Sequence, residues 1–110
     1  MQNERTLNLT LKGKWFDMIL SGVKKEEYRD IKPYWIDRLT FIDPNTLDGQ
    51  EFKNFTHIKF TNGYGYHRPS FTIECKGIDI GMGNTDWGAP TDRDVFILSL
   101  GEITNTQNIK

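Results

Sequence analysis

With a single cysteine, Cys75, in 110 residues, the chain can close no internal disulfide and build no cysteine-rich zinc site. That scarcity points to a reducing compartment. No apolar run approaches the ~20 residues of a membrane span, and Met1-Gln2-Asn3-Glu4-Arg5 carries no apolar signal segment, so a cytoplasmic protein without a membrane partner is expected. Net charge is also lacking. Fourteen Lys and Arg against fifteen Asp and Glu leave −1, which excludes a basic nucleic-acid coat. Histidine is too scarce for a metal centre: His57 and His67 lie on different predicted elements, and Asp86, Asp92 and Asp94 lack the spacing of a calcium loop. Gly81-Met82-Gly83 has neither the third glycine nor the following helix of a dinucleotide fingerprint, so neither metal nor cofactor is expected.

What is present suits one small folded unit. Hydrophobic residues are 36% and charged residues 26% of the chain, the balance of a globular domain, and 110 residues support one core. Leu7, Leu9 and Leu11 alternate with polar residues and predict a strand. Trp15, Phe16, Ile19 and Leu20 then form one apolar stripe on a short helix over residues 14–21, which Gly22 ends. Residues 24–29 read as a strand, Pro33 opens a second short helix to Leu39, and 43–55 reads as a loop or flap with turns at Asp43-Pro44-Asn45 and Asp48-Gly49. Further strands follow over 56–61, from Phe71 through a bend at Gly77 to Ile80, and over 95–100. The expectation is an α+β fold: a small, mostly antiparallel β-barrel capped by two or three short helices, one domain over 1–104 with a frayed polar tail at 105–110.

Chemistry concentrates in Gly22-Val23-Lys24-Lys25-Glu26-Glu27-Tyr28-Arg29. Strand parity puts Lys25, Glu27 and Arg29 on one face and Lys24, Glu26 and Tyr28 on the other. Glu27 and Arg29, about 7 Å apart, can share a ligand or pair. Lys24, directly after the helix-ending glycine, is within reach of the same pocket if the turn swings it inward. A Lys and an Arg beside a carboxylate suit a polar planar or anionic ligand such as a nucleotide. The same run equally suits a solvated strand whose charges pair with neighbours, and composition alone favours that reading. Residues 1–40 carry eight Lys or Arg against six Asp or Glu, so an anion would favour the first third of the chain.

The order of strand, Trp-Phe-rich helix and Gly22-x-Lys24-x-x-Glu27-x-Arg29 resembles the signature of the ASCH domain, a family of β-barrels similar to PUA domains. Lys32-Pro33-Tyr34-Trp35, Arg38-Leu39 and the segment 96–103 extend the resemblance over most of the chain. It implies a cleft for RNA, a nucleotide or a modified nucleoside, with Lys24, Glu27 and Arg29 as ligand-binding residues and Lys25, Tyr28 and Trp35 beside them. Some small members of the family remove the acyl group from N4-acylated cytidine with a Lys, a Thr nucleophile and a downstream Glu. Here Glu27 stands where those enzymes carry the threonine, and no equivalent of the downstream Glu can be placed. Amidohydrolysis through Lys24 and Glu27 is therefore the alternative, and a protein-interaction module a further one.

A second, aromatic group comprises Tyr64 and Tyr66 in the turn 62–69, Tyr34 and Trp35 in the second helix, and Trp87 in the late loop. Exposed rings beside cations are what single-stranded RNA stacks on. In so small a domain Trp35 and Trp87 also suit packing, and Tyr64 and Tyr66 suit a stiffened glycine-rich turn.

Overall fold

The computed structural model describes residues 4–45 and 49–109. Asp48 of the second predicted turn, the first three residues and Lys110 lie outside the described residues. The leucine alternation makes β1 (Thr6–Leu11), with Leu7, Leu9 and Leu11 buried and Thr6 and Asn8 exposed. Helix α1 (Gly13–Leu20) turns the apolar stripe inward and buries Phe16 and Ile19. It ends at Gly22, whose φ of +85° lies in the left-handed region where side chains are disfavoured. A four-residue strand, β2 (Glu26–Arg29), precedes α2 (Pro33–Leu39), which has proline in its first turn and Leu39 fully buried.

Part of the predicted 43–55 loop is strand. β3 (Thr40–Ile42) pairs antiparallel with β4 (Gln50–Phe52), making a small hairpin arm beyond α2, and the Asn45 N–H closes an Asx turn on Asp43 Oδ1 at 2.9 Å. The long strands β6 (Ser70–Gly81) and β7 (Val95–Gln107) follow β5 (His57–Asn62).

The main sheet has five strands in the order β1-β5-β6-β7-β2, mixed because β1 runs parallel to β5 while the other pairs are antiparallel. Three register shifts between Thr72 and Gly77 bend β6 against β7, as the bend predicted at Gly77 requires. Of the tail expected to fray at 105–110, three residues are corrected: Asn105, Thr106 and Gln107 pair with Thr72, Phe71 and Ser70. Polar composition there reflects exposure of a paired strand, not loss of structure. Phe16, Phe60 and Phe71 meet in the core with ring centroids 4.9 and 5.6 Å apart, under Leu98 and Leu100 of β7.

Among the described residues β1 and β2 do not pair, so the sheet is open and the closed barrel expected from the sequence is not formed by its backbone. Its two outer edges are nevertheless joined by side chains. Arg29 of β2 donates from Nη2 to the Thr10 carbonyl at 3.4 Å, and Arg38 of α2 donates to the Asn8 carbonyl at 3.3 Å. These carbonyls are two residues apart on β1, and the Trp35 ring packs against both guanidinium groups, 4.9 Å from that of Arg29 and 5.7 Å from that of Arg38. Among the described residues no helix is long and apolar enough to cross a membrane.

Candidate functional site

Gly22 determines how the cluster is assembled. Past its left-handed turn, the N–H groups of Val23 and Lys24 both bond back to the Met18 carbonyl, at 3.0 and 2.9 Å. The strand begins only at Glu26, so Lys24 is released from strand parity and its side chain turns into the protein. There its ammonium bonds Glu27 Oε1. Glu27 reaches the same place from β2, opposite Leu98, and its other oxygen accepts from Arg29 Nη2 at 2.7 Å.

The solvated-strand alternative does not hold for these three side chains. Those of Lys24, Glu27 and Arg29 are 1%, 8% and 17% exposed. Two cations and one carboxylate leave the cluster with an excess of one positive charge. Desolvating such charges costs several kcal/mol per ion, and an apolar replacement of similar shape is often no less stable. Buried ions of this kind are weak evidence for stability and stronger evidence for chemistry.

Aromatic rings wall the lysine in. Its Nζ lies 5.2 Å from the ring centre of Trp15 and 5.3 Å from that of Tyr28. The Tyr28 hydroxyl donates to Glu26 Oε1 at 2.7 Å and accepts from the Asn84 N–H at 2.9 Å, tying the loop after β6 down over the cluster. Burial, reinforced by Glu26 and opposed by the Asn84 N–H, pushes the Tyr28 phenol up to about 12. Gly83 and Gly88 permit this close approach: a Cβ on Gly83 would lie 2.6 Å from the Tyr28 ring, and one on Gly88 would lie 3.0 Å from Trp15.

Outside the ion cluster lies a cavity of about 230 Å³ bordered by Tyr28, Arg29, Asp30, Trp35, Gly88 and Pro90. It is smaller than the ~300–1,000 Å³ of typical small-molecule sites and suits one base or sugar. Arg29 forms part of its wall, and the buried Arg29 Nε has no hydrogen-bond partner among the described residues. Three larger hollows lie elsewhere: an apolar groove of about 350 Å³ lined by Ile36, Phe52, Ile80 and Phe96, a hollow of about 400 Å³ between Arg5, Phe41, Lys53 and Phe55, and an open polar trough of about 1,040 Å³ along residues 51–57 and 74–78. None of the three touches Lys24, Glu27 or Arg29; the buried charges border smaller spaces, the cavity beside Arg29 and a hollow of about 170 Å³ beside Lys24, of which the former is the larger.

No family model matches the chain. No curated protein and no solved structure matches it either.

The structure therefore brings together Lys24, Glu27, Arg29, Tyr28 and Trp35, and leaves the other sequence candidates apart. Lys25 is exposed and does not border the cavity beside Arg29; with Gly22, Lys24 and Glu102 it lines the hollow of about 170 Å³. Tyr64 and Tyr66 are 88% and 96% exposed at the tip of the turn after β5, and Trp87, half-buried in the short 3-10 turn Thr85–Trp87, does not border the cavity beside Arg29. The predicted flap around 43–55 borders the apolar groove through Gln50, Glu51 and Phe52. Glu74 accepts from the Glu102 N–H at 2.9 Å on an exposed stretch of β6 and β7. Trp15 was missed as a site residue, because its place in the helical stripe marks it as core. Asn84 was missed because it acts through its backbone N–H, which composition does not reveal. Among the described residues no group of three or more His, Cys, Asp or Glu is placed to hold a metal ion.

Proposed function

We propose that the chain is an ASCH-type, PUA-like domain of the cytoplasm that binds a nucleotide, a modified nucleoside or a short stretch of RNA in the cavity beside Arg29. The observation that carries this reading is the buried Lys24–Glu27–Arg29 cluster, with an excess positive charge, opening through Arg29 and Trp35 onto a hollow the size of one base. The bent sheet, whose edges are bridged by Arg29, supports the barrel-like affiliation. In this reading Trp35 supplies a π-face and the exposed part of the Arg29 guanidinium, in the cavity wall, supplies N–H donors to a base carbonyl or phosphate. Lys24 and Glu27 hold the guanidinium in place from behind. A net charge of −1 leaves no long basic stripe, so the ligand is a single nucleotide or a short single strand.

The geometry speaks against the amidohydrolase alternative. Each Glu27 oxygen is engaged by a cation, Oε1 by Lys24 and Oε2 by Arg29, so a water would have to compete with two ion pairs for the carboxylate. Tyr28, pushed up to about 12, is no base near neutrality.

The test is a tryptophan-fluorescence titration with nucleosides, nucleotides, short oligoribonucleotides and N4-acetylcytidine. Arg29→Lys keeps the charge and loses the fork, and should weaken binding about tenfold or more; unchanged affinity removes the site. Chromatography after incubation with N4-acetylcytidine should show intact substrate, and acyl release abolished by Lys24→Ala would restore the enzyme reading.

A further inference from the structure

The cation–aromatic arrangement does not stop at the cavity. On the outer face of α2, Arg38 lies 5.7 Å from the ring centre of Trp35 and 5.8 Å from that of Tyr34, and its Nη1 donates to the Tyr34 hydroxyl at 3.1 Å. The two rings meet edge to face, with centroids 4.8 Å apart. Arg29, Trp35, Arg38 and Tyr34 thus form one connected cluster of two guanidinium groups and two rings, running from the largely buried Arg29 outward to a tyrosine that is 60% exposed.

We propose that Tyr34 and Arg38 form a second nucleotide subsite, so that the protein holds a single strand with one nucleotide at Arg29 and Trp35 and its neighbour at Tyr34 and Arg38. This rests on the reading of the Arg29 cavity as a nucleotide site.

A polynucleotide repeats one anion and one flat ring per unit. Two guanidinium groups and two aromatic rings in one cluster offer one cation and one π-face to each of two such units. Tyr34 and Arg38 are four residues apart on α2, so they share one face of the helix. The Asn8 carbonyl anchors Arg38 Nη2 at 3.3 Å. Only two of its five N–H donors are thereby assigned, one to Asn8 and one to Tyr34, so donors remain for a phosphate oxygen. The exposed ring gains nothing from the core, whereas a stacked base would cover it. Stacking is sequence-tolerant and does not read a base edge, so this subsite adds affinity and length dependence rather than base specificity.

The experiment compares cytidine monophosphate, dicytidylate and hexacytidylate by titration calorimetry on the full chain, with Tyr34→Leu and Tyr34→Phe as variants. Tyr34 is exposed, so both variants should fold, as circular dichroism will verify. The wild type should bind dicytidylate about 5- to 150-fold more tightly than the monophosphate, the range expected for one stacked base. Tyr34→Leu should abolish that gain and leave monophosphate affinity unchanged, while Tyr34→Phe retains the gain. A dinucleotide that binds no better than the monophosphate, or a gain that survives in Tyr34→Leu, overturns the second subsite and leaves the first standing. If neither monophosphate nor oligonucleotide binds, the reading of the Arg29 cavity falls and the second subsite falls with it.

Discussion

Replacing Glu27 with glutamine keeps the shape of the side chain and removes its charge, which isolates the electrostatics of the cluster. Lys24, with a side chain 1% exposed, cannot follow its lost partner into solvent, and is left as an ammonium against the rings of Trp15 and Tyr28. Arg29, at 17%, retains the Thr10 carbonyl and an outlet to solvent. The penalty therefore falls mainly on the lysine. Removing one member of a buried pair costs about 3–5 kcal/mol, and the glutamine carbonyl, still an acceptor, places Glu27→Gln near the lower end, about 3 kcal/mol. Against the ~5–15 kcal/mol of a domain this size, that is between a fifth and more than half of the total. Urea unfolding followed by circular dichroism should show the midpoint falling by about 1.5 M at a slope of ~2 kcal/mol/M. The loss should be nearly the same at about 0.1 M and 1 M salt, because solvent screening acts weakly on so buried a pair. Adding Lys24→Met removes the stranded charge and should return the double variant to within about 1–2 kcal/mol of wild type. A Glu27→Gln protein within about 0.5 kcal/mol of wild type, or a double variant no more stable than the single, would refute the view that Lys24 is charged and held by Glu27.

Tyr28 predicts a pH window. Because its folded-state pKa is raised from 10.0 to about 12, the neutral phenol's contribution is fully present below pH 10 and is lost as pH rises towards 12. In the difference between wild type and Tyr28→Phe, phenolate absorbance should appear near pH 12, and a midpoint near 10 would contradict the tie to Glu26 and Asn84. Gly22→Ala meets no clash, Lys25 Nζ lying at an ordinary contact distance of 3.8 Å from the new Cβ, so its cost is the left-handed backbone alone, about 1–2 kcal/mol in thermal or urea unfolding. Gly83→Ala meets the Tyr28 ring at 2.6 Å and Ala89 at 2.7 Å. It should cost about 1–3 kcal/mol and speed amide exchange at Asn84, whose N–H bonds Tyr28.

Local pattern carried much of this arrangement. The leucine alternation, the stop at Gly22 and the shared side of Glu27 and Arg29 follow from periodicity and appear as expected. Lys24 was legible only as a contingency, since its direction depends on the strand starting two residues later, at Glu26, which no side-chain pattern announces. The role of Trp15 was masked because a ring packed on a buried lysine and a ring packed on leucine give the same helical stripe. The open edge between β1 and β2 depends on how far β6 and β7 bend, which is set by register shifts distributed from Thr72 to Gly77. The polar end of β7 misled for the opposite reason: Asn105, Thr106 and Gln107 show no apolar alternation, and pairing with β6 makes them strand all the same.

An outer strand normally presents a row of unpaired carbonyls to any passing chain. On β1 the carbonyls of Asn8 and Thr10 are each taken by an arginine, and the Trp35 indole packs against both guanidinium groups. A second molecule seeking to extend the sheet there would have to displace two charged donors and a ring before forming its first backbone bond. The arginines that make this face attractive to an anion thus also keep the protein from adding itself, strand by strand, to another copy.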